Sequence, residues 1–240
     1  RDIGVTGVQT CALPILPTAA AAVGIRVVLS NDIALPEHRL DSLADAQQAY
    51  RSCHGSANGR VEVFVGIEWL PLTSPELLRD AAQLAQNLDT GVHVHLNESL
   101  DEVETVRRRF GMRPTELAHE SGLLGRRTVA AHCVWLTDHE IDLMRSTGTN
   151  ISYNPVSNAK LGNGIARAPA MLAAGVNVGL GHDAADSSNT HDLFEIMKFA
   201  SLVQRASNQD SGALPAEQVV RMATRNGSDA LGHDAGRLSQ

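Results

Sequence analysis

From Leu16 onward, short apolar runs alternate with longer segments of helical period, and this order persists along the chain. Such alternation points to a parallel sheet, because parallel neighbours can be joined only by a long connection that packs back onto a sheet face. Six runs read as strands: 24–30 (GIRVVLS), 60–67 (RVEVFVGI), 91–96 (GVHVHL), 128–132 (TVAAH), 149–153 (TNISY) and 176–181 (VNVGLG). Between them, 75–87 carries Leu77, Leu78, Ala81, Leu84 and Ala85 on one helical stripe after a Thr73 or Ser74 cap. Segment 137–145 reads as a helix with Ile141 and Met144 inward, and 190–204 and 216–230 continue a helical layer after the last strand. There is no internal repeat, low-complexity tract or domain linker.

The composition supports a globular reading. With 43% hydrophobic and 20% charged residues in 240, the chain can bury a sizeable core. Its net charge of −7, with basic residues scattered, gives no attraction to nucleic acid or an anionic membrane, and 3% aromatic residues leave little for base stacking. No apolar run approaches the roughly 18 residues of a membrane span. Cys11, Cys53 and Cys133 form no CxxC pair, which points to a reducing cytoplasm and a small-molecule partner.

Residues 1–15 stand apart. RDIGVTGVQTCALPI lacks the Met and basic start of a signal peptide. Val5 to Ile15 is, letter for letter, the translation of a common short-read sequencing adapter; Arg1 and Asp2 fit its upstream bases, and Ile3 and Gly4 an index between them. We read 1–15 as an adapter artefact and 16–240 as a partial barrel domain from a truncated reading frame.

Polar groups recur where strands end: Ser30-Asn31-Asp32, Glu68, His95 with Glu98, His132, Asn154 with Ser157-Asn158, and His182-Asp183. In a closed β/α barrel these carboxyl ends share one face, which carries the active site. A dinucleotide-binding open sheet would need a Gly-rich phosphate turn after its first strand, and none is present. The fold expected is therefore α/β, an incomplete (β/α)8 barrel of roughly strands 3 to 8, with the first two strands upstream.

Each residue has a plainer reading. A histidine beside a strand end, such as His132, is more often a hydrogen-bonded rim or core residue than a ligand. His93 and His95 share a strand face; only His95 is near enough to the carboxyl end to reach the site, so His93 reads as structural, one layer down. Glu98, three residues on, suits a carboxylate beside a bound ion. Asp183 follows the small residues of VGLG, and its alternative is a turn or a helix cap near 186–188. Arg107 to Arg109 read as a solvated helix face.

Together HVHLNES, AAHCVWLTDHEI, YNPVSNAKLGNGIA and AGVNVGLGHDAADSSNTHDLFEIMK resemble the amidohydrolase superfamily, in the aminohydrolase group of methylthioadenosine/S-adenosylhomocysteine deaminases, 8-oxoguanine deaminases and triazine hydrolases. The resemblance runs from about Gly24 to Arg237. It implies a metal-dependent C–N hydrolase that deaminates an amino-substituted heteroaromatic ring of purine, pterin or triazine type. It implies one divalent metal, Zn²⁺ before Fe²⁺, with His95 and Asp183 as ligands. Glu98 matches the proton shuttle, His132 the histidine at the reacting centre, and Asp183 doubles as base. The family's first-strand HxH ligands have no match here, and part of an accessory β-sandwich is missing from both ends. The parent is then an enzyme and this fragment inactive. Glu68, Trp69 and Asn158 are the expected substrate contacts. Relatives carry a His or Cys where GIEWLP has Glu68 and Trp69, and Thr or Ser where His182 stands; a carboxylate such as Glu68 is as often paired with Arg. Alternatives are displacement of alkylamine or chloride, a catalytically inactive barrel, or a metal-free small-molecule binder. Relatives often form homo-oligomers.

Overall fold

A computed structural model describes residues 15–236. The reading of residues 1–15 therefore lies outside the described residues, except for Ile15, which opens the first helix. Six strands form one sheet: β1 (Val27–Ser30), β2 (Val61–Ile67), β3 (Val92–Leu96), β4 (Thr128–His132), β5 (Asn150–Tyr153) and β6 (Val178–Leu180). Their order is sequential and every neighbouring pair is parallel. This is the α/β arrangement of a partial β/α barrel. All six expected strands form, trimmed by up to three residues at their ends.

The strands are staggered. β1 pairs with the first half of β2, from Val27 opposite Val61 to Ser30 opposite Phe64, while β3 pairs with its second half, from Val65 opposite Val92 to Ile67 opposite Val94. That offset is the shear by which a parallel sheet curls toward a barrel. At the crossing, a Cβ on Gly66 would overlap the Asn31 carbonyl, so only glycine lets the β1 exit pass so close to β2.

Helices cover the outer face: α1 (Ile15–Val23), α2 (Leu43–Cys53), α3 (Ser56–Gly59), α4 (Pro75–Asn87), α5 (Leu100–Phe110), α6 (Pro114–Glu120), α7 (Asp138–Thr147), α8 (Pro155–Lys160), α9 (Ala168–Ala173), α10 (Ala185–Ser188), α11 (Leu193–Asn208), α12 (Ala216–Arg221) and α13 (Gly227–Ala230). Two expected boundaries differ. The helix proposed at 190–204 starts three residues later, where Asp192 accepts from Phe194 N–H as its cap. The segment proposed at 216–230 is interrupted by a wider π turn at Met222–Asn226.

On β3, Val92, Val94 and Leu96 are buried outward among the α4 residues Leu78 and Ala81, Val106 of α5 and other core side chains. His93 and His95 occupy the alternate face. The strand thus inverts the usual surface pattern, because its polar side lines the barrel interior. Of the arginine run, Arg107, Arg108 and Arg109 are all exposed as expected, and Arg109 in addition donates to the carbonyls of Pro71 and Thr73 and lies over the Phe110 ring.

Candidate active site

Two neighbouring strands, β3 and β4, bring three histidines together. The His95 and His132 rings stack with centroids 5.4 Å apart, and His93 meets His95 edge-on at 5.2 Å. His95 Nδ1 lies 2.5 Å from the Glu68 carbonyl oxygen. A carbonyl only accepts, so Nδ1 carries the proton and Nε2 keeps its lone pair. One layer down, His93 lies 3.5 Å from Ser30 Oγ. Burial, with the neighbouring His95 and His132, lowers its pKa to about 3 and holds it neutral.

His132 is 2% exposed, and its Nδ1 bonds Asn158 Oδ1 at 2.9 Å. Its Nε2 faces Asp183 Oδ2 at 3.9 Å, while Nδ1 is also 3.9 Å from Glu98 Oε1. Burial pulls its pKa down, against the Asp183 carboxylate and the Asn158 bond. Asp183 stands at the β6 exit with φ +65°, a left-handed conformation uncommon outside glycine. Its Oδ2 accepts from Ser157 Oγ and its Oδ1 from Ala184 N at 2.7 Å. The residue at the cap of α10 is Ala184, so Asp183 does not serve as the cap considered above. A Cβ on Gly181 would collide with Asn154 Oδ1, which shows how tightly β5 and β6 converge at this exit.

Glu98 reaches in from the turn after β3, and Asn163 Nδ2 donates to its Oε1 at 2.8 Å. Burial raises its carboxyl above the ordinary range; Asp183 and Glu68 add to this, and His95 and the Asn163 bond oppose it. A carboxyl shifted in this direction, beside a space where a ring could lie, is suited to giving up and taking back a proton. Glu68 Oε2 lies 3.9 Å from His95 Nδ1, and the paired reading with Arg is replaced by a neighbouring acid, Asp32. Burial, followed by Glu68 and Asp41, drives Asp32 up to about 8. Trp69 turns its buried indole N–H toward Glu102 without closing a well-formed hydrogen bond. Asn158, besides holding His132, leaves its buried Nδ2 unpartnered.

The sequence reading missed Asn163, Asp32 and Glu102. Asn163 lies ten residues beyond the end of β5, past any strand-exit rule, although it falls within the quoted NAKLGNGIA stretch. Asp32 stood among the exits without a role, and Glu102 looks like an ordinary first-turn helix acid.

The free Nε2 of His95 and the Asp183 carboxylate are a nitrogen and an oxygen donor of the kind Zn²⁺ takes. They fit as part of a four-donor set: among the described residues no three His, Cys, Asp or Glu side chains gather in metal-holding geometry.

The sequence pattern of the Amidohydrolase family matches residues 1–240. The chain belongs to the amidohydrolase family. This amidohydrolase is 43% identical over 224 residues to the 5'-deoxyadenosine deaminase of Methanothermobacter thermautotrophicus, covering 92% of the chain and 52% of that relative. It is 37% identical over 215 residues to the 5-methylthioadenosine/S-adenosylhomocysteine deaminase of Desulforudis audaxviator, covering 89% and 50%. Among solved structures, a zinc-bound adenosine deaminase from Xanthomonas campestris superposes with a TM-score of 0.87 at 27% identity, over 95% of the chain and 53% of the neighbour. The chain spans about half the length of the curated relatives it matches.

Proposed function

We propose that this amidohydrolase contributes the proton-handling half of a site for hydrolytic deamination of an amino-substituted heteroaromatic ring, of the adenosine type before pterin or triazine. The observation that carries the reading is the convergence of His95, Glu98, His132 and Asp183 from three strand exits onto one space. Kinship with two adenosine-type deaminases supports the substrate class.

His95, through Nε2, and Asp183 would hold a divalent metal, Zn²⁺ before Fe²⁺. When bound, the metal would supply water acidified toward neutrality. Asp183 takes the proton of the attacking water. His132, kept neutral and held by Asn158, faces that carboxylate through Nε2, so the pair can share the proton until the departing amine takes it. Glu98 delivers its proton to the ring nitrogen beside the attacked carbon and regains one from the adduct hydroxyl as the C–N bond breaks, while the proton taken by Asp183 goes to the amine, which leaves as ammonia. Glu68, Trp69 and Asn158 would frame the substrate, with Glu68 accepting from N–H groups on its edge.

A second reading rests on the donor count. With no three donors gathered among the described residues, the 240-residue chain by itself is proposed to be inactive, the activity belonging to a longer protein. We place that protein in the cytoplasm, with residues 1–15 foreign to it. No helix among the described residues is long and apolar enough to cross a membrane, and Cys133 is a free buried thiol.

The test is to express the longer protein and measure bound metal and ammonia release over aminopurines, pterins and triazines. Ammonia release lost in His95→Ala and Asp183→Asn is the expected result. Metal without turnover on any ring would move the chemistry to another leaving group, and absence of metal would overturn the proposal.

A further inference from the structure

Among the described residues six helices carry an acid at their third position, and in three of them, α2, α6 and α7, it is used in the same way. Asp45, Glu116 and Glu140 reach back to the N–H of their own cap residues, Ser42, Arg113 and Thr137, at 2.8–2.9 Å. Glu102, on α5, is used differently. Its cap, Ser99, accepts from Glu102 N at 3.1 Å as usual, but the carboxylate passes over Ser99 to the two residues before it. Oε1 accepts from Asn97 N at 2.9 Å and Oε2 from Glu98 N at 2.7 Å. Two successive N–H groups after the left-handed Asn97, φ +51°, thus bracket one carboxylate.

The clamp is anchored on its far side. Asn97 is fully buried: Thr115 Oγ1 donates to its Oδ1 at 2.8 Å, and its Nδ2 donates to Glu140 Oε1 at 3.2 Å and the Trp135 carbonyl at 3.3 Å. Trp135 N returns to the Asn97 carbonyl at 3.0 Å, and Cys133 N to Leu96 O at 2.9 Å. The turn bearing Glu98 is therefore stitched to the turn that follows His132, and Glu102 holds its backbone from below. Glu102 itself is fully buried and touches no substrate; it bears on the site through that backbone, with the Trp69 indole N–H turned toward it as well.

We propose that Glu102 is a positioning residue for the reaction, which acts on catalysis by holding the two N–H groups that aim Glu98. The proposal rests on the reading of Glu98 as the proton donor. Glu102→Gln keeps the size of the side chain but replaces one acceptor by an amide N–H, so one clamp bond is lost. In the full-length, metal-loaded protein, with the aminopurine that wild type deaminates fastest, kcat is expected to fall about 10²-fold, the scale of a misplaced general acid, with KM within about twofold. Adding Glu102→Gln to Glu98→Gln should change kcat by less than about twofold, because the group it serves is already gone. Glu102→Asp keeps the charge but reaches only one N–H; it should give an intermediate loss, and it carries the same cycle if the Gln variant does not fold. A Glu102→Gln kcat within about threefold of wild type, or losses that multiply in the double variant, would overturn the proposal. If wild type releases no ammonia, or Glu98→Gln keeps full activity, the reading beneath it fails instead.

Discussion

Two groups of buried acids flank the site, and they are satisfied in opposite ways. On the β3–β4 side, Glu102 and Glu140 are surrounded by donors: three backbone N–H groups, the Thr137 hydroxyl, the Asn97 amide and the Arg113 guanidinium at 2.8 Å. On the β1–β2 side, Asp32, Glu68 and Asp41 face one another; Asn31 Nδ2, at 2.8 Å from Asp41, supplies a well-placed donor. Acids enclosed by donors lock a turn in place. Set against Glu68 and Asp41, the buried Asp32 holds its proton up to about pH 8, beside the space where a substrate would lie. The same residue types thus build rigidity on one side and a polar, adjustable wall on the other.

The contrast can be broken most forcefully from the rigid side. Arg113→Ala strips the cation from Glu140, which is fully buried, and should destabilise the protein by about 3 kcal/mol in denaturant unfolding, since a buried charge is left without its partner. On the adjustable side, Gly66→Ala drives a methyl into the Asn31 carbonyl. Backbone must shift, and a loss of about 2 kcal/mol is expected by the same measurement. Asp32→Asn should have the reverse sign. Its folded pKa, about 8, stands above the ordinary 3.8, so wild-type stability from this group is complete below about pH 4 and is lost as pH rises to about 8. The Asn variant escapes that loss: it should match wild type at pH 4 and exceed it by about 1–2 kcal/mol at pH 8, after allowance for partial solvent screening. Equal stability at pH 8 would show that the acids are not pressed together. Arg108→Ala, on the exposed helix face, should change stability by less than about 0.5 kcal/mol.

The sheet was legible because each strand is a short apolar run bounded by turn residues, and a parallel strand buried on its outward face has little room for any other pattern. The strand-exit rule then reached His95, His132 and Asp183 directly, and Glu98 through its spacing from His95. It stopped where position depends on contacts far apart in sequence. Asn163 meets Glu98 across 65 residues, and Asn97 meets Glu140 across 43. Glu102 was hidden by its ordinariness, since an acid in a first turn is favoured by the helix dipole whatever it touches. What sets it apart is the left-handed Asn97 before it, which no periodicity reveals. The mutual approach of Asp32 and Glu68 depends on Gly66 admitting a neighbouring carbonyl, again a contact and not a pattern.

Asn97, His132, Cys133 and Asp183 all take left-handed backbone conformations. For residues with a Cβ each such twist costs about 1–2 kcal/mol, and glycine would relieve it. A library selected for heat resistance alone would therefore drift toward glycine at these codons, whereas one selected for turnover would resist. Where the two selections disagree most sharply, they would trace the outline of the working centre without any knowledge of its substrate.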